Sequence, residues 1–279
     1  MPEPVVLTEV TDRVALITLN RPDARNALSS EVLAALPEAI AACDADADVD
    51  VLVLTGADPA FCAGVDLKSL ASGTTAPPSD PSSDPSRPDP ARAATARREP
   101  FAPTRKPLVA AVNGAAVTGG LEVVLACDFV VASEWARFAD THARVGIMPG
   151  WGLTVRLAEA VGQRRAREMS VTGNFVDART AYDWGLVNHV VAHEELLPYC
   201  RALAADIVSN DQPGVRWILA TYAAELALVH DAQLDLESGR SREWMAGGGG
   251  RADEIARRRE GIVARGRAQQ ANDEQGDRA

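Results

Sequence analysis

Apolar residues fall into two rhythms along this chain of 279 residues. Short apolar runs bounded by turn residues occur at Val5–Glu9, Val14–Leu19, Val51–Gly56, Leu108–Val112, Phe129–Ala132 and Val187–Val191, and they predict strands. The first two flank Thr11-Asp12-Arg13 and read as a hairpin. Between the runs lie helical patterns. Ser29 or Ser30 can cap a helix to about Asp44, with Pro37 expected to kink it. Gly120–Ala126 reads as a helix, and Gly150-Trp151-Gly152 opens another to about Val161, stopped by Gly162. Asp177 caps Ala178–Trp184, which Gly185 ends. From Glu194 the pattern is helical, with a glycine joint at 247–250 before a last helix, Ala252–Ala268. Strand, helix, strand recurs without an internal repeat, which favours an α/β fold with a parallel sheet and crossovers.

Residues 72–91 follow neither rhythm. Their Pro, Ser and Asp content cannot bury much apolar surface, so a mobile loop is expected there, followed by a short helix within Ala91–Glu99. Hydrophobic residues make up 47% and charged residues 24%, ordinary for a globular chain with a sizeable core. No apolar run approaches the ~20 residues of a membrane helix. Met1-Pro2-Glu3-Pro4 lacks the basic-then-apolar order of a secretory signal. A net charge of −11 argues against nucleic acid as a partner but leaves an anionic small ligand open. Cys43, Cys62, Cys127 and Cys200 have no metal-ligand spacing and read as buried thiols in a reducing cytoplasm. The histidines His142, His189, His193 and His230 form no zinc motif.

Two glycine-bearing turns carry the chemistry. Phe61-Cys62-Ala63-Gly64-Val65-Asp66-Leu67-Lys68 follows the Val51–Leu54 run, and Val112-Asn113-Gly114 leads into Thr118-Gly119-Gly120-Leu121-Glu122 after the Leu108–Val112 run. Such turns can leave backbone N–H groups unpaired and aimed at one point. Two N–H groups facing one oxygen make an oxyanion hole, and a carboxylate beside it can do acid–base work. Glu122 is that carboxylate. It sits among Leu121, Val123, Val124 and Leu125, where a charge is costly without a role or an ion-pair partner. Thr118 is placed to cap the helix that follows.

With Asn20-Arg21-Pro22-Asp23-Ala24-Arg25-Asn26-Ala27-Leu28 upstream and Ala126-Cys127-Asp128 downstream, these segments resemble the crotonase family, the enoyl-CoA hydratase/isomerase superfamily. The likeness is strong over roughly residues 5–200. It implies a crotonase-type ββα spiral core over residues 1–195, containing an acyl-CoA site. It also implies a C-terminal helical region over 196–279, through which relatives assemble as trimers or hexamers.

The same resemblance assigns expected roles. Val65 and Gly119 match the two oxyanion donors, and a larger side chain at Gly119 would bar a thioester. Ala24 and Arg25 match the segment beside the pantetheine and phosphates of coenzyme A. Ala63, Val65, Asp66, Leu67 and Lys68 line its path. Arg25 and Lys68 also read as ordinary surface cations. The loop at 72–91 becomes either a variable lid or an insertion without function. Glu122 maps onto the first catalytic glutamate. The second glutamate, counted back from Met148-Pro149-Gly150, falls on His142, which is a departure from the family. With an ordinary pKa near 6.5, a histidine can give or take a proton. His142 either shares acid–base work with Glu122 or only lines the pocket. If Phe138–His142 is extended, Asp140 shares its face and either orients His142 or substitutes for it.

The expected activity is enoyl-CoA hydration, with isomerisation or thioester hydrolysis as alternatives on the same scaffold. A non-catalytic acyl-CoA-binding protein is the alternative of another class. No metal or redox cofactor is implied, because N–H groups hold the enolate and coenzyme A belongs to the substrate. Arg257, Arg258, Arg259, Arg265 and Arg267 read as a solvated basic helix face.

Overall fold

Asp12 and Arg13 turn the chain with φ of 51° and 65°, the left-handed pair that a two-residue hairpin needs. They join β1 (Val6–Thr11) antiparallel to β2 (Val14–Leu19), with Thr11 opposite Val14 and Val6 opposite Leu19. The computed structural model describes residues 3–66, 99–248 and 251–276. Leu67, Lys68, the expected loop at 72–91 and nearly all of the Ala91–Glu99 helix lie outside them, as do Gly249 and Gly250 of the glycine joint.

From β2 onward the larger sheet is parallel. β3 (Val51–Gly56), β4 (Leu108–Val112), β6 (Phe129–Ser133) and β9 (His189–Val191) follow one another, giving the order β1-β2-β3-β4-β6-β9. Every residue of β3 and β4 is buried, the mark of parallel strands covered on both faces. On one face, Leu52, Leu54, Ala110 and Val112 join the main core with α1 (Ser30–Ala45), which contributes Val32, Leu36, Ile40 and Cys43 at helical spacing. On the other, Val51, Val53, Val109, Ala111 and Val131 pack against Leu196, Cys200 and Ala204 of α7 (Leu196–Val208). Each Val, Leu or Ile among them contributes about 1.5–3 kcal/mol when fully buried. Ser29 caps α1 through its Oγ, which accepts from Val32 N, and Pro37 lies inside the helix.

A second sheet orders β5 (Ala115–Val117), β7 (Arg137–Ala139) and β8 (Val176–Asp177). It is short, and its strands were not legible as apolar runs. α2 (Gly119–Leu125) follows β5, and α3 (His142–Val145) is a single turn. α4 (Leu153–Val161) and α5 (Gln163–Thr172) meet at Gly162, whose φ of 81° ends one helix and starts the next. Only Ala166 and Met169 of α5 are buried, so its sequence carries a weak apolar stripe. α6 (Ala178–Trp184) is capped by Asp177, whose carboxylate accepts from Thr180 N, and ends at Gly185 in the left-handed region. The chain closes with α8 (Gln212–Ala246) and α9 (Ala252–Gly276).

Two expectations change. Thr118 does not cap α2; its own φ is 55° and its side chain makes no cap bond. Its Oγ instead meets Thr141 Oγ and accepts from Thr141 N at 3.1 Å. The condition that Phe138–His142 be extended is met only as far as Ala139, because the chain bends at Asp140 and Thr141 into α3.

Candidate active site

Two isolated parallel bridges knit the site together. Leu28 pairs with Val65, and Cys62 pairs with Ala116. In the first, Leu28 N donates to Gly64 O at 2.8 Å and Asp66 N donates to Leu28 O at 3.3 Å. A parallel ladder uses the groups flanking Val65 on one side, so the N–H of Val65 itself points to the other. Gly119 is the first residue of α2, where N–H groups have no intrahelical partner. Among the described residues, neither Val65 N nor Gly119 N has a hydrogen-bond acceptor.

The two donors are neighbours. A Cβ on Gly119 would lie 3.6 Å from Val65 Cγ2, 3.1 Å from Leu28 Cδ1 and 3.6 Å from Trp151 Cζ3. Gly64 has φ of 85°, and a Cβ there would come within 2.6 Å of Val117 O. A Cβ on Gly120 would collide with Cys62 O. Glycine is therefore required at both contacts between the turns. Thr118 holds φ of 55°, rare for a β-branched residue and worth about 1–3 kcal/mol of strain. Its N–H donates to Ala139 O at 2.8 Å, and the Thr141 hydroxyl secures its side chain.

Glu122, His142 and Asp140 converge next to this pair, all three buried. Glu122 Oε1 accepts from Trp151 N at 2.9 Å and Gly150 N at 3.3 Å. Its Oε2 faces His142 Nε2 at 3.7 Å. His142 Nδ1 and Asp140 Oδ1 are 2.7 Å apart, and His142 N also donates to that oxygen at 3.1 Å. Asp140 and His142 thus meet through a bend, not through the strand face expected from the sequence.

Burial pushes the Glu122 carboxyl up to about 7, with nearby Glu237 and Asp140 pushing the same way against His142 and the Trp151 N–H. Burial lowers His142, but the Asp140 hydrogen bond and the charges of Glu122, Asp140 and Glu237 outweigh it and leave the imidazole raised. Asp140 is lowered: burial opposes its charge, yet the His142 ring, the Ser170 hydroxyl and the His142 N–H sustain it. The arrangement is an ionised Asp140, an imidazole inclined to hold a proton, and a carboxyl that titrates near neutrality.

The expected coenzyme A segment borders the first turn. Ala63 N donates to Arg25 O at 3.0 Å, and the Pro22–Ala24 turn leaves Arg25 exposed at φ of 49°. Asp66 faces Arg21 at 3.6 Å. Leu67 and Lys68 lie outside the described residues.

Sequence reasoning missed several supports. Asn26, fully buried, donates to Ala57 O at 2.7 Å and Ala60 O at 2.6 Å and accepts from Arg21 N at 2.8 Å, tying the two segments together. Asn113 donates to Asp58 at 2.9 Å and accepts from Gly56 N at 3.3 Å. An asparagine after an apolar strand was the available signal. The N–H groups of Gly150 and Trp151 had none beyond the glycines, and Glu237 lies too far along the chain to be connected. Among the described residues, no group of three or more His, Cys, Asp and Glu side chains is placed to hold a metal ion.

Residues 9–246 match the family model described as enoyl-CoA hydratase/isomerase. A probable peroxisomal enoyl-CoA hydratase 1 from Arabidopsis thaliana is 38% identical over 234 residues, covering 84% of each chain. The 2,3-dehydroadipyl-CoA hydratase of Escherichia coli K12 is 38% identical over 231 residues, covering 83% of this chain and 84% of that one. Among solved structures, an enoyl-CoA hydratase from Mycobacterium smegmatis superposes with a TM-score of 0.75 at 46% identity, covering 88% of this chain and 100% of the other. An enoyl-CoA hydratase from Mycobacterium tuberculosis H37Rv gives 0.77 at 44% identity, covering 88% and 99%. Fold, paired N–H donors and similarity along most of the sequence agree: this chain belongs to the enoyl-CoA hydratase/isomerase family, with the crotonase fold.

Proposed function

We propose that the protein is an enoyl-CoA hydratase in which Glu122 and His142 share the acid–base work and Val65 N and Gly119 N form the oxyanion hole. The observation that carries this reading is the buried Asp140–His142–Glu122 series ending beside two N–H donors without acceptors. The thioester oxygen of a 2-enoyl-CoA accepts from both donors, which draws electron density from C3. Water adds its oxygen to C3 and gives a proton to Glu122 Oε2, the oxygen that the backbone leaves free. The proton on His142 Nε2 passes to C2 as the enolate collapses. The pair holds one proton before and after; it has moved from His142 to Glu122 and returns across 3.7 Å. One water can hydrogen-bond to two atoms at this separation.

Arg25 is exposed beside the turn and suits a phosphate of coenzyme A. Ala24, Ala63 and Asp66 continue the coenzyme A path, with Leu67 and Lys68 next in sequence, and no separate cofactor takes part. The chain works as a homotrimer or hexamer. α8 supports this, since Trp217 is 78% exposed, Tyr222 63% and Leu228 88%, more apolar surface than a lone chain usually shows water. Four free cysteines suit a reducing cytoplasm. Among the described residues, no helix is long and apolar enough to cross a membrane.

The names of the relatives span dissimilar acyl groups, including 2,3-dehydroadipyl and (E)-benzylidenesuccinyl. The test is therefore a panel of 2-enoyl-CoA and 3-enoyl-CoA thioesters. Loss of the conjugated enoyl absorbance with formation of a 3-hydroxyacyl-CoA is the expected result. Turnover of 3-enoyl substrates alone would make the protein an isomerase, and release of free coenzyme A a hydrolase. Tight acyl-CoA binding without turnover would leave a binding protein.

A further inference from the structure

α8 passes over the turn between α3 and α4, and buries Glu237 and Ser238 there beside Leu234. Glu237, buried on that face, accepts from Gly152 N at 2.6 Å and Thr154 N at 2.6 Å, and its second oxygen also takes the Thr154 hydroxyl. Gly150 N and Trp151 N, the next groups upstream, hold Glu122. One helix N-terminus therefore grips two carboxylates: Glu122 from α2 through residues 150 and 151, and Glu237 from α8 through residues 152 and 154. Neighbouring contacts keep α8 in place. Ser238 Oγ reaches Gly150 O at 3.5 Å, Ser241 Oγ reaches Met148 O at 3.4 Å, Trp244 Nε1 donates to Gly146 O at 2.9 Å, and His230 pairs with Glu159 of α4.

We propose that Glu237 is a positioning residue of the acid–base site, which from α8 fixes the turn holding Glu122 and places a negative charge near the Glu122–His142 pair. The proposal rests on the reading of Glu122 as the proton-accepting group. Geometry gives the first half. With residues 152 and 154 pinned, the Gly150–Trp151 peptide can present both N–H groups to Glu122 Oε1 and leave Oε2 toward His142. Charge gives the second half. The positive end of α4 is shared, so Glu122 receives less of it than a lone carboxylate would. The charge of Glu237 raises both Glu122 and His142. Asp140, beside His142, also faces the pair. Arg156, which borders the turn at Gly152, is paired with Glu99.

The test uses Glu237→Gln, with Thr154→Ala as a milder variant that removes one hydroxyl from the clamp. Expected for Glu237→Gln is a kcat about 10-fold or more below wild type with KM changed far less, since a small displacement of a reacting group weighs on the chemical step. The pH–rate profile should move bodily to lower pH by about half a unit or more, because both groups lose a negative neighbour. Glu237→Asp, which keeps the charge, should restore most of that position. Thr154→Ala should lower kcat slightly without moving the profile. A purely structural Glu237 would lower the melting temperature and kcat together and leave the profile where it was; that result overturns the proposal. NMR titration of the His142 ring in wild type and Glu237→Gln gives a reading that needs no turnover. A lower titration midpoint in the variant supports the electrostatic link even if the protein hydrates nothing, and an unchanged midpoint removes it.

Discussion

His142 Nε2 stands 3.7 Å from Glu122 Oε2 while its other ring nitrogen is tied to Asp140 at 2.7 Å. In the proposed reaction the Asp140 carboxylate acts on one end of the imidazole and the reacting pair forms at the other. Asp140 would then act as a positioning group, and its hydrogen bond and charge raise the imidazole pKa. On that proposal His142, with two acidic neighbours, stands in for a second glutamate by bringing the proton that a carboxylic acid would otherwise carry.

Glu122→Gln should fold and lose roughly 10²–10⁴-fold in kcat, the usual contribution of one general acid–base group. His142→Ala should cost a similar factor. Steady-state rates on the best enoyl-CoA of the panel check both. A mild His142→Ala together with a severe Asp140→Asn would move the second role to Asp140.

The rate should be bell-shaped in pH. Its acid limb lies near 7, where Glu122 loses its proton, and its alkaline limb lies above the ordinary histidine value, where His142 loses its own. As the two are coupled, the limbs belong to the pair. Asp140→Asn removes a charge that raises His142, so the alkaline limb should shift to lower pH in that variant. A limb that stays in place would show that Asp140 does not sustain the imidazolium.

Stability should record the same titration. Glu122 has a folded-state pKa above its ordinary value, so the folded state binds the extra proton. Its contribution is fully present below about pH 4.5 and is lost as pH rises through about 7, a swing on the order of 3 kcal/mol. His142, also raised, loses its share at higher pH, above the ordinary histidine value. Glu122→Gln should therefore be more stable than wild type at pH 8 and nearly equal to it at pH 5. Denaturant titrations at the two pH values decide it.

Gly119→Val should abolish acyl-CoA binding as well as turnover, since its Cβ alone would already sit 3.1 Å from Leu28 Cδ1 and 3.6 Å from Val65 Cγ2. Calorimetry with a non-hydratable acyl-CoA measures the first effect. Binding at wild-type strength would remove Gly119 from the thioester site.

Light scattering of the full-length chain should report three or six copies. Trp217→Asp, at an exposed apolar position on α8, should shift the distribution toward smaller species. A wild-type monomer would overturn the proposed assembly.

Much of this architecture can be read directly in the residues. β3 and β4 are continuous apolar runs because both their faces are covered, and Ser29, Asp177 and Gly185 punctuate helices where capping chemistry requires. Glycines at 64, 119 and 120 mark the two turns because a Cβ at 64 or 120 would strike backbone. The parts that stayed hidden depend on distant partners. β5, β7 and β8 are too short to set a rhythm. Thr118 resembles a cap but is drawn away by Thr141. α5 buries two residues and reads as polar. Glu237 is separated from Glu122 by more than a hundred positions, and only folding brings them to the same turn.

The absence of a side chain between Gly120 and Cys62 O has a consequence for how such a protein can be altered. The turns bearing the two donors touch backbone to backbone, so neither can be displaced without carrying the other. Variation that suits the site to a new acyl group must enter from the walls around this ribbon. The spacing of the donors is then inherited unchanged, whatever substrate the walls admit.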